Sequence, residues 1–511
     1  MDWMLQKKER EKLWLNTYLL QQNTDTVAVK QVVKELGWSR YLVQSNGIDL
    51  VRDLQALQPD APTLIAYDEH KKLFSINAAL ETAEHALRLH YLHQSLRNLF
   101  LNDLFFERLT SLEDFAERHN TSISTAREIK LYLAKNLAQF DISISDDLKL
   151  VGNERGVRQL GFQIVYHYYA AQEEPFPAAD RPPLKAIFET FLTTLPQPLP
   201  ESAKLAFYYQ FGIWHFRIAQ GHQLHASVTD PLFRPTATLT GPVRQYTAAL
   251  TDLLCKQTGL SADTLDIEIR YAMTTLVAMG FIPEATPADS ATTETLATLA
   301  VFTDIIQSSY LSFFKPQEGL ETTVLATIGQ DLYPLHLRLL HFNQHPIDSH
   351  PNILNAYQFY PLHTAYTLHV LRRIATRFKL SFETVYKTLF TEYLNTFIDR
   401  LPREQIFPLL TVTVDLPARA SLARYTKRLL ADIFGANILV TNHYTAQSDL
   451  YIADFALTAD QSRPGFVWQE IPTIPQITML YNQVHTLTIQ KFEQVTGNQI
   501  ERITNNQTPR A

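Results

Sequence analysis

The sequence predicts a mostly α multidomain protein, with two winged helix-turn-helix modules at the N-terminus, two helical-bundle regulatory domains behind them and a small C-terminal α/β domain. Three observations lead there. Fifteen glycines in 511 residues leave long stretches rich in Leu, Ala, Gln, Glu, Lys and Arg uninterrupted, which favours helix. A pattern of helix, turn, helix and strand pair occurs twice before residue 153, and repetition of one supersecondary unit is a structural signal in itself. Runs of strand character in the rest of the chain gather after residue 403.

In chain order, residues 9–21 place Leu13, Leu15, Leu19 and Leu20 at helical spacing, and Asn23, Thr24, Asp25 and Thr26 supply stop and cap residues. The segment VAVKQVVKELG repeats Val29, Val32, Val33 and Leu36 on one face and stops at Gly37. Ser39 then caps a third helix running through Leu42, Ile48, Leu50, Val51 and Leu54. Two helices joined by a short turn containing Gly form the DNA-reading arrangement. After Pro59 and Pro62, TLIAYD and KKLFSIN alternate in polarity around Asp68-Glu69-His70 and read as a hairpin, the wing.

A helical connector over 79–107 leads to the second copy. There SLEDFAERHN opens with Ser111 and Asp114 in the spacing of a capping box. Ser122 or Ser124 starts a helix with the stripe Ile129, Leu133 and Leu137, and DISISDDLKLVG supplies the strand pair. From about 154 to 402 the chain reads as helical and rich in aromatics and histidine, broken by EEPFPAADRPP, PLFRPTATLTGP and PEATPADSATTE into two helical domains. Beyond 403, LLTVTVDL, a helix with Leu422, Leu429 and Leu430, then ANILVTN, DLYIADFAL and FVWQEIP, reads as strand, helix and three strands.

Composition narrows the function classes. With 46% hydrophobic residues the chain can bury several cores. Its one cysteine, Cys255, cannot form an intrachain disulfide, points to a reducing compartment and reads as a packed core residue. The opening MDWMLQKKEREKLWL is charged where an export signal needs an apolar run, so a cytoplasmic location is expected. The most apolar window, about Leu205 to Ile218, includes His215 and Arg217 and is shorter than the roughly 20 apolar residues of a membrane span, so no membrane partner is expected. A net charge of −7 is not the overall basic footprint of a nucleic-acid binder, but a small DNA-reading end can differ from a large acidic body. No G-x-S-x-G elbow, phosphate loop or G-x-G-x-x-G motif is present, which argues against an enzyme. His341 and His345 are four apart, but Pro346 ends a helix there and no acidic partner shares the face, so no metal or other cofactor is expected.

The stretch SLEDFAERHNTSISTAREIKLYLAKNLAQFDISISDDLKLVGNERGVRQLGFQIVYHYY resembles the helix-turn-helix of the Mga-like regulators of Gram-positive bacteria, running into a first regulatory helix. FGIWHFRIAQGHQL and LHLRLLHFNQH resemble segments of domains similar to the regulation domains of the sugar phosphotransferase system. VTVDLPARASLARYTKRLLADIF and SDLYIADF resemble an enzyme IIB-like domain. The resemblance covers essentially the whole chain and implies five parts: 1–78 and 79–153, the two winged modules; 154–288 and 289–402, the regulation-like helical domains; and 403–511, the enzyme IIB-like domain. It implies transcription control, often activation, with histidines phosphorylated by the phosphotransferase system and multimerisation through the C-terminal part. One departure matters: enzyme IIB proteins carry a phosphorylated Cys after the first strand, whereas Asp415-Leu416-Pro417-Ala418 stands there, so this domain is no phosphocysteine carrier.

Candidate DNA contacts follow from residue chemistry. In the first module these are Arg40, Tyr41, Gln44, Ser45 and Asn46 at the start of the third helix, with Lys71 and Lys72 in the wing. In the second they are Ser122, Ser124, Thr125, Arg127 and Lys130, since hydroxyls and helix-end amides bind phosphate while Arg reads base edges. Against this stands the plainer reading of both as solvated helix faces. The candidate phosphorylation sites are His215 and His222, seven apart and so on one helical face, then His336 and His341. For any single histidine a structural role is the commoner one. A phosphoryl group adds nearly two negative charges and remakes the pairing around it.

The expected function is a sequence-specific DNA-binding regulator acting on duplex DNA in promoter regions. Phosphorylation by the phosphocarrier HPr or another phosphotransferase component would modulate it, and it would act as a homodimer or higher homo-oligomer because one short site gives little specificity. The first alternative keeps the DNA-binding end but gives the body a structural or small-ligand-binding role. The second, a phosphotransfer protein, lacks the cysteine it would need.

Overall fold

In the computed structural model the described residues are 2–501, except 21, 23, 58–63, 78–81, 170–173, 179–180, 194–198, 225–231, 283, 317–318, 343–352 and 457–463. His225, His345 and Pro346 lie outside them. The chain divides into two compact units, Met1–Ala285 with His341–Asn343, and Thr286–Leu340 with Gln344–Ala511.

Unit 1 begins with α1 (Lys7–Leu20), β1 (Thr26–Ala28), α2 (Val29–Leu36) and α3 (Arg40–Leu57). Gly37 ends α2 at φ 68°, and Ser39 Oγ accepts from the Leu42 amide at 3.2 Å to start α3. The hairpin of β2 (Ile65–Asp68) and β3 (Leu73–Ile76) forms as the alternation predicts. It gains a third strand, because β1 pairs antiparallel with β3 in the order β1-β3-β2. The cap-like residues around Thr26 hid β1: three residues are too few to show a period of two.

The connector is two helices, α4 (Thr82–Gln94) and α5 (Leu96–Phe105), parted at Ser95, whose hydroxyl donates to the Met4 carbonyl at 2.6 Å. α4 packs on α1 and α3, while α5 packs on the second module, so the connector ties both modules to one scaffold. That module is α6 (Leu112–Arg118), α7 (Ile123–Leu137) and the antiparallel pair β4 (Ile142–Ile144) and β5 (Leu150–Gly152), with Ile142 opposite Gly152 and Ile144 opposite Leu150. The rest of the unit is helical: α8 (Glu154–Tyr169), α9 (Arg181–Leu192), α10 (Glu201–Ala219), α11 (Gly241–Thr258) and α12 (Ala262–Ala278). Cys255, on α11, is half-buried and not the core residue expected.

Unit 2 carries α13 (Pro287–Ser290), α14 (Thr293–Phe314), α15 (Thr322–Asp331), α16 (Tyr333–Phe342, whose last two residues count with unit 1), α17 (Ile353–Phe359), α18 (Pro361–Phe378), α19 (Phe382–Arg400) and α20 (Arg403–Ile406). Phe302, Tyr310, Leu371 and Phe397 anchor its helical core. Among the described residues α14, and not the 205–218 window, is long and apolar enough to cross a membrane, and its Phe302, Ile306, Tyr310 and Phe314 are buried in that core.

Then come β6 (Leu410–Asp415), α21 (Ala420–Phe434), β7 (Ile438–Thr441), β8 (Leu450–Ala453), β9 (Gly465–Val467) and α22 (Ile474–Thr496). The four strands form a parallel sheet in the order β7-β6-β8-β9; central β8 is apolar and buried along its whole length, and β6 is buried from Val412 through Val414 although Thr411, Thr413 and Asp415 alternate with its apolar residues. Helix α22, absent from the sequence reading, sets Leu480 and Val484 on the sheet and Phe492 in the helical core. The position after β6 holds Asp415 and Leu416, as the sequence shows.

His363 on α18 is 2% exposed, and both ring nitrogens are buried without a hydrogen-bond partner among the described residues. Burial, with Arg403 nearby, pulls its pKa down to about 4. The unfolded chain therefore takes up this proton first as pH falls below about 6.5, and folded stability drops from there down through about pH 4. Replacing His363→Leu should raise the thermal midpoint more at pH 5 than at pH 8. Across that window the pH slope of stability should fall by about 1.4 kcal/mol per pH unit. Parallel pH profiles for the two proteins would contradict this.

Candidate nucleic-acid interface

The second winged module is assembled around a buried carboxylate. Asp103 on α5 is 6% exposed and receives Arg118 at 3.1 Å and His119 at 3.2 Å, both from the end of α6. Arg118 also reaches Asp114 at 3.0 Å and the Arg108 carbonyl at 3.3 Å, so α6 is clamped at both ends. The Ser111 hydroxyl accepts from the Asp114 amide at 3.1 Å as the capping-box spacing predicts. The Asp114 carboxylate returns to the Thr110 amide, one residue earlier than the standard box.

Helix α7 is capped by Ser122, which resolves the choice between Ser122 and Ser124: its Oγ accepts from the Thr125 amide at 3.0 Å and shares a 2.8 Å hydrogen bond with the Thr125 hydroxyl. The apolar stripe is buried as the periodicity requires, with Ala126, Leu133 and Leu137 at 0% and Ile129 at 7%. Opposite that stripe Ser124, Arg127, Glu128, Leu131 and Lys135 face solvent, and Lys130 is half-buried beside them. Among the described residues no ion pair engages Arg127, Lys130 or Lys135. The Glu113 carboxyl is held below its ordinary range mainly by its own amide and the Ser111 hydroxyl, with the charge of Arg127 a lesser cause. The N-terminal end of this helix therefore presents hydroxyls, free amides and uncommitted cations together, which is what phosphate and base edges require.

The wing behind α7 has a different character. Asp146 and Asp147 are exposed at its tip, and Lys149 is drawn to Glu107 at 3.0 Å. Gly152 closes the wing at φ 119°, where an added Cβ would lie 2.3 Å from the Asp141 carbonyl oxygen, so only glycine fits. An acidic tip repels phosphate, which makes α7, ahead of the wing tip, the candidate DNA-facing element of this module.

In the first module the candidates separate. Arg40 and Tyr41 are exposed, Tyr41 at 79%, and Ser45 is half-exposed. Gln44 Nε2 donates to the Tyr67 hydroxyl of the wing at 3.1 Å. Asn46 is 1% exposed and its amide donates to Glu11 at 3.2 Å, so it is a core residue and cannot touch DNA. Lys71 lies 3.8 Å from Asp68 at the wing tip, and Lys72 is half-buried at φ 54° with its carbonyl accepting from the Val29 amide. Residue chemistry alone made Asn46 a candidate contact; burial of Gly47 and Leu50 beside it turns that face of α3 inward.

The histidines separate as well. His215 sits half-buried on α10, but that helix ends at Ala219 and Gly221 has φ 83°, so His222 lies beyond it and the two do not share a helical face. His222 Nε2 is 2.5 Å from the Glu107 carboxylate. His336 is 3% exposed, stacked on Phe302 at 4.0 Å and bonded to the Tyr393 hydroxyl at 2.5 Å. His341 is 5% exposed, 3.2 Å from the Thr275 hydroxyl and against the Tyr271 ring. Burial pulls both down to about 3, so both are neutral. As placed, neither ring is open to a phosphoryl donor, which departs from the expectation that they are accessible sites.

Asn46→Ala should destabilise the protein by about 1–3 kcal/mol, because Glu11 loses a buried donor. DNA affinity of the folded protein should stay unchanged. A loss of affinity at unchanged stability would restore Asn46 as a DNA contact.

Comparison with known proteins agrees with the geometry of the second module. No curated protein matches the chain. Residues 81–164, spanning α4 to α8, match the family model of the Mga helix-turn-helix domain. That segment is similar to the Mga helix-turn-helix domain, which supports a DNA-binding, transcription-regulating role for the chain.

Proposed function

We propose that this protein is a cytoplasmic, sequence-specific regulator that grips duplex DNA in promoter regions through the N-terminal half of α7. It works as a homodimer or higher homo-oligomer, since one short recognition helix supplies too little specificity alone. The observation that carries the reading is the solvent face of α7, where the Ser122 cap, Ser124, Thr125 and Arg127 stand together and no ion pair holds Arg127 or Lys130 among the described residues. No catalytic step and no cofactor belongs to it. Binding to genomic fragments, titrated across salt, tests it. The double change Arg127→Ala with Lys130→Ala should cut affinity at least tenfold and lower the salt slope by about 2, one per lost cation. An unchanged isotherm would move the DNA contact elsewhere.

Regulation by the sugar phosphotransferase system is the finer part of the reading. His215 and His222 are the histidines that support it, because both keep solvent access where His336 and His341 do not. Phosphorylated HPr should label the wild type, and His215→Ala with His222→Ala should abolish the label. Undiminished labelling would remove both from the account.

A second reading, a body that binds a small ligand, is favoured by one feature of unit 2. A half-open cavity of about 310 Å³ lies between α14, α15 and α16, lined by Thr303, Ala326, Gly329, Gln330, Tyr333 and His336 among others. Among the described residues no charged side chain lines it and His336 is neutral, so it suits an uncharged ligand and not a sugar phosphate. DNA binding insensitive to every phosphotransferase component would favour this reading.

A further inference from the structure

Glu107 follows α5, at the point where the connector enters the second winged module, and adopts φ 50°, a left-handed conformation costly for a side chain of its size. Its carboxylate, 10% exposed, collects three partners from three separate elements: His222 Nε2 at 2.5 Å, Lys149 Nζ at 3.0 Å and Arg217 at 3.6 Å. Lys149 belongs to the wing, Arg217 to α10, and His222 to the loop after α10.

Behind Glu107 the charges continue inward. Arg217 binds Glu154 of α8 at 2.6 and 3.0 Å, and Glu154 also receives Arg158 at 2.9 Å. Arg158 binds Glu268 of α12 at 2.7 and 2.9 Å and donates to the His222 carbonyl at 2.9 Å. Glu268 further accepts from the Trp214 indole at 2.9 Å and the Leu224 amide at 2.7 Å. His222 is therefore held at its ring by Glu107 and at its backbone by Arg158. The cluster sets three carboxylates, Glu107, Glu154 and Glu268, against three cations, Lys149, Arg158 and Arg217. Burial pushes the Glu107 carboxyl up, but hydrogen bonds from His222 and Lys149 outweigh it and hold the carboxyl below its ordinary range.

We infer that Glu107 is a positioning residue for DNA reading: it transmits the state of the His222 loop to the wing by holding Lys149 inward, so that a change at His222 alters the wing and with it DNA affinity. The inference rests on the DNA-binding reading and adds to it the route by which the helical body acts on the reader. Any event that removes the His222 donor or adds negative charge there takes one partner from a buried carboxylate. Lys149 and Arg217 must then share it differently, and Lys149, 42% exposed, is the partner free to move.

A double-mutant cycle read out as DNA affinity tests the coupling, with wild type, His222→Ala, Lys149→Met and the double variant on one genomic fragment. His222→Ala should change affinity at least threefold, and that change should vanish in the Lys149→Met background. Additive effects would overturn the coupling. Hydrogen exchange without DNA gives an independent reading: the amides of 142–144 and 150–152 should exchange at least threefold faster in His222→Ala than in wild type. Protection identical in the two proteins would overturn the inference even if DNA binding is intact. A wild type that binds no DNA while its wing amides respond to His222→Ala would instead sink the DNA-binding reading, and with it the claim that Glu107 serves DNA reading. Glu107→Gln, which keeps the shape but removes the charge, should reproduce Lys149→Met in the cycle, and a cycle unaffected by it would also count against the assignment.

Discussion

Two guanidinium groups without solvent contact set the architecture of unit 1. Arg158 and Arg217 are each 0% exposed, and an unpaired ion in such a position costs several kcal/mol. Carboxylates meet both: for Arg158, burial drives the group toward its neutral form, and Glu268 with Glu154 outweighs it. Those carboxylates lie far apart in sequence, so the ions can be satisfied only when α8, α10 and α12 and the end of the connector have converged. A hydrophobic core tolerates small shifts between helices. A bidentate guanidinium pair does not, which makes this cluster a device for fixing one arrangement.

On that frame the two winged modules have unequal roles. The first is stapled to the connector by Lys12 and Tyr91, both directed at Asp53, and its wing is occupied by its own contacts at Asp68 and Gln44. The second turns its helix α7 outward with its cations uncommitted and an acidic wing tip behind.

Much of this was legible in sequence where the signal is local. The caps at Ser39, Ser111 and Ser122, the stripe Ile129, Leu133 and Leu137, the wing hairpins and the strands from Leu410 onward depend on neighbours a few residues away. What escaped depends on distance. Asn46 reads as an exposed amide until Glu11 is known to face it, and His222 reads as helical until Gly221 ends the turn. The pairing of Glu107 with His222 spans 115 residues and leaves no periodic trace; a charged residue with positive φ is visible only in three dimensions. Helix α22 was missed because strand-like residues before it drew attention to the sheet, although Thr473 and Gln476 form a capping box at its start.

The central claim is that α7 reads base sequence and does more than hold phosphate. Selection of bound duplexes from a random-sequence pool, followed by sequencing, tests this most directly. The account predicts enrichment of a defined motif, with preference lost at one or two positions when Arg127→Ala is selected in parallel and the remaining positions retained. Recovery of duplexes with no shared motif, or a motif identical for wild type and Arg127→Ala, would contradict it.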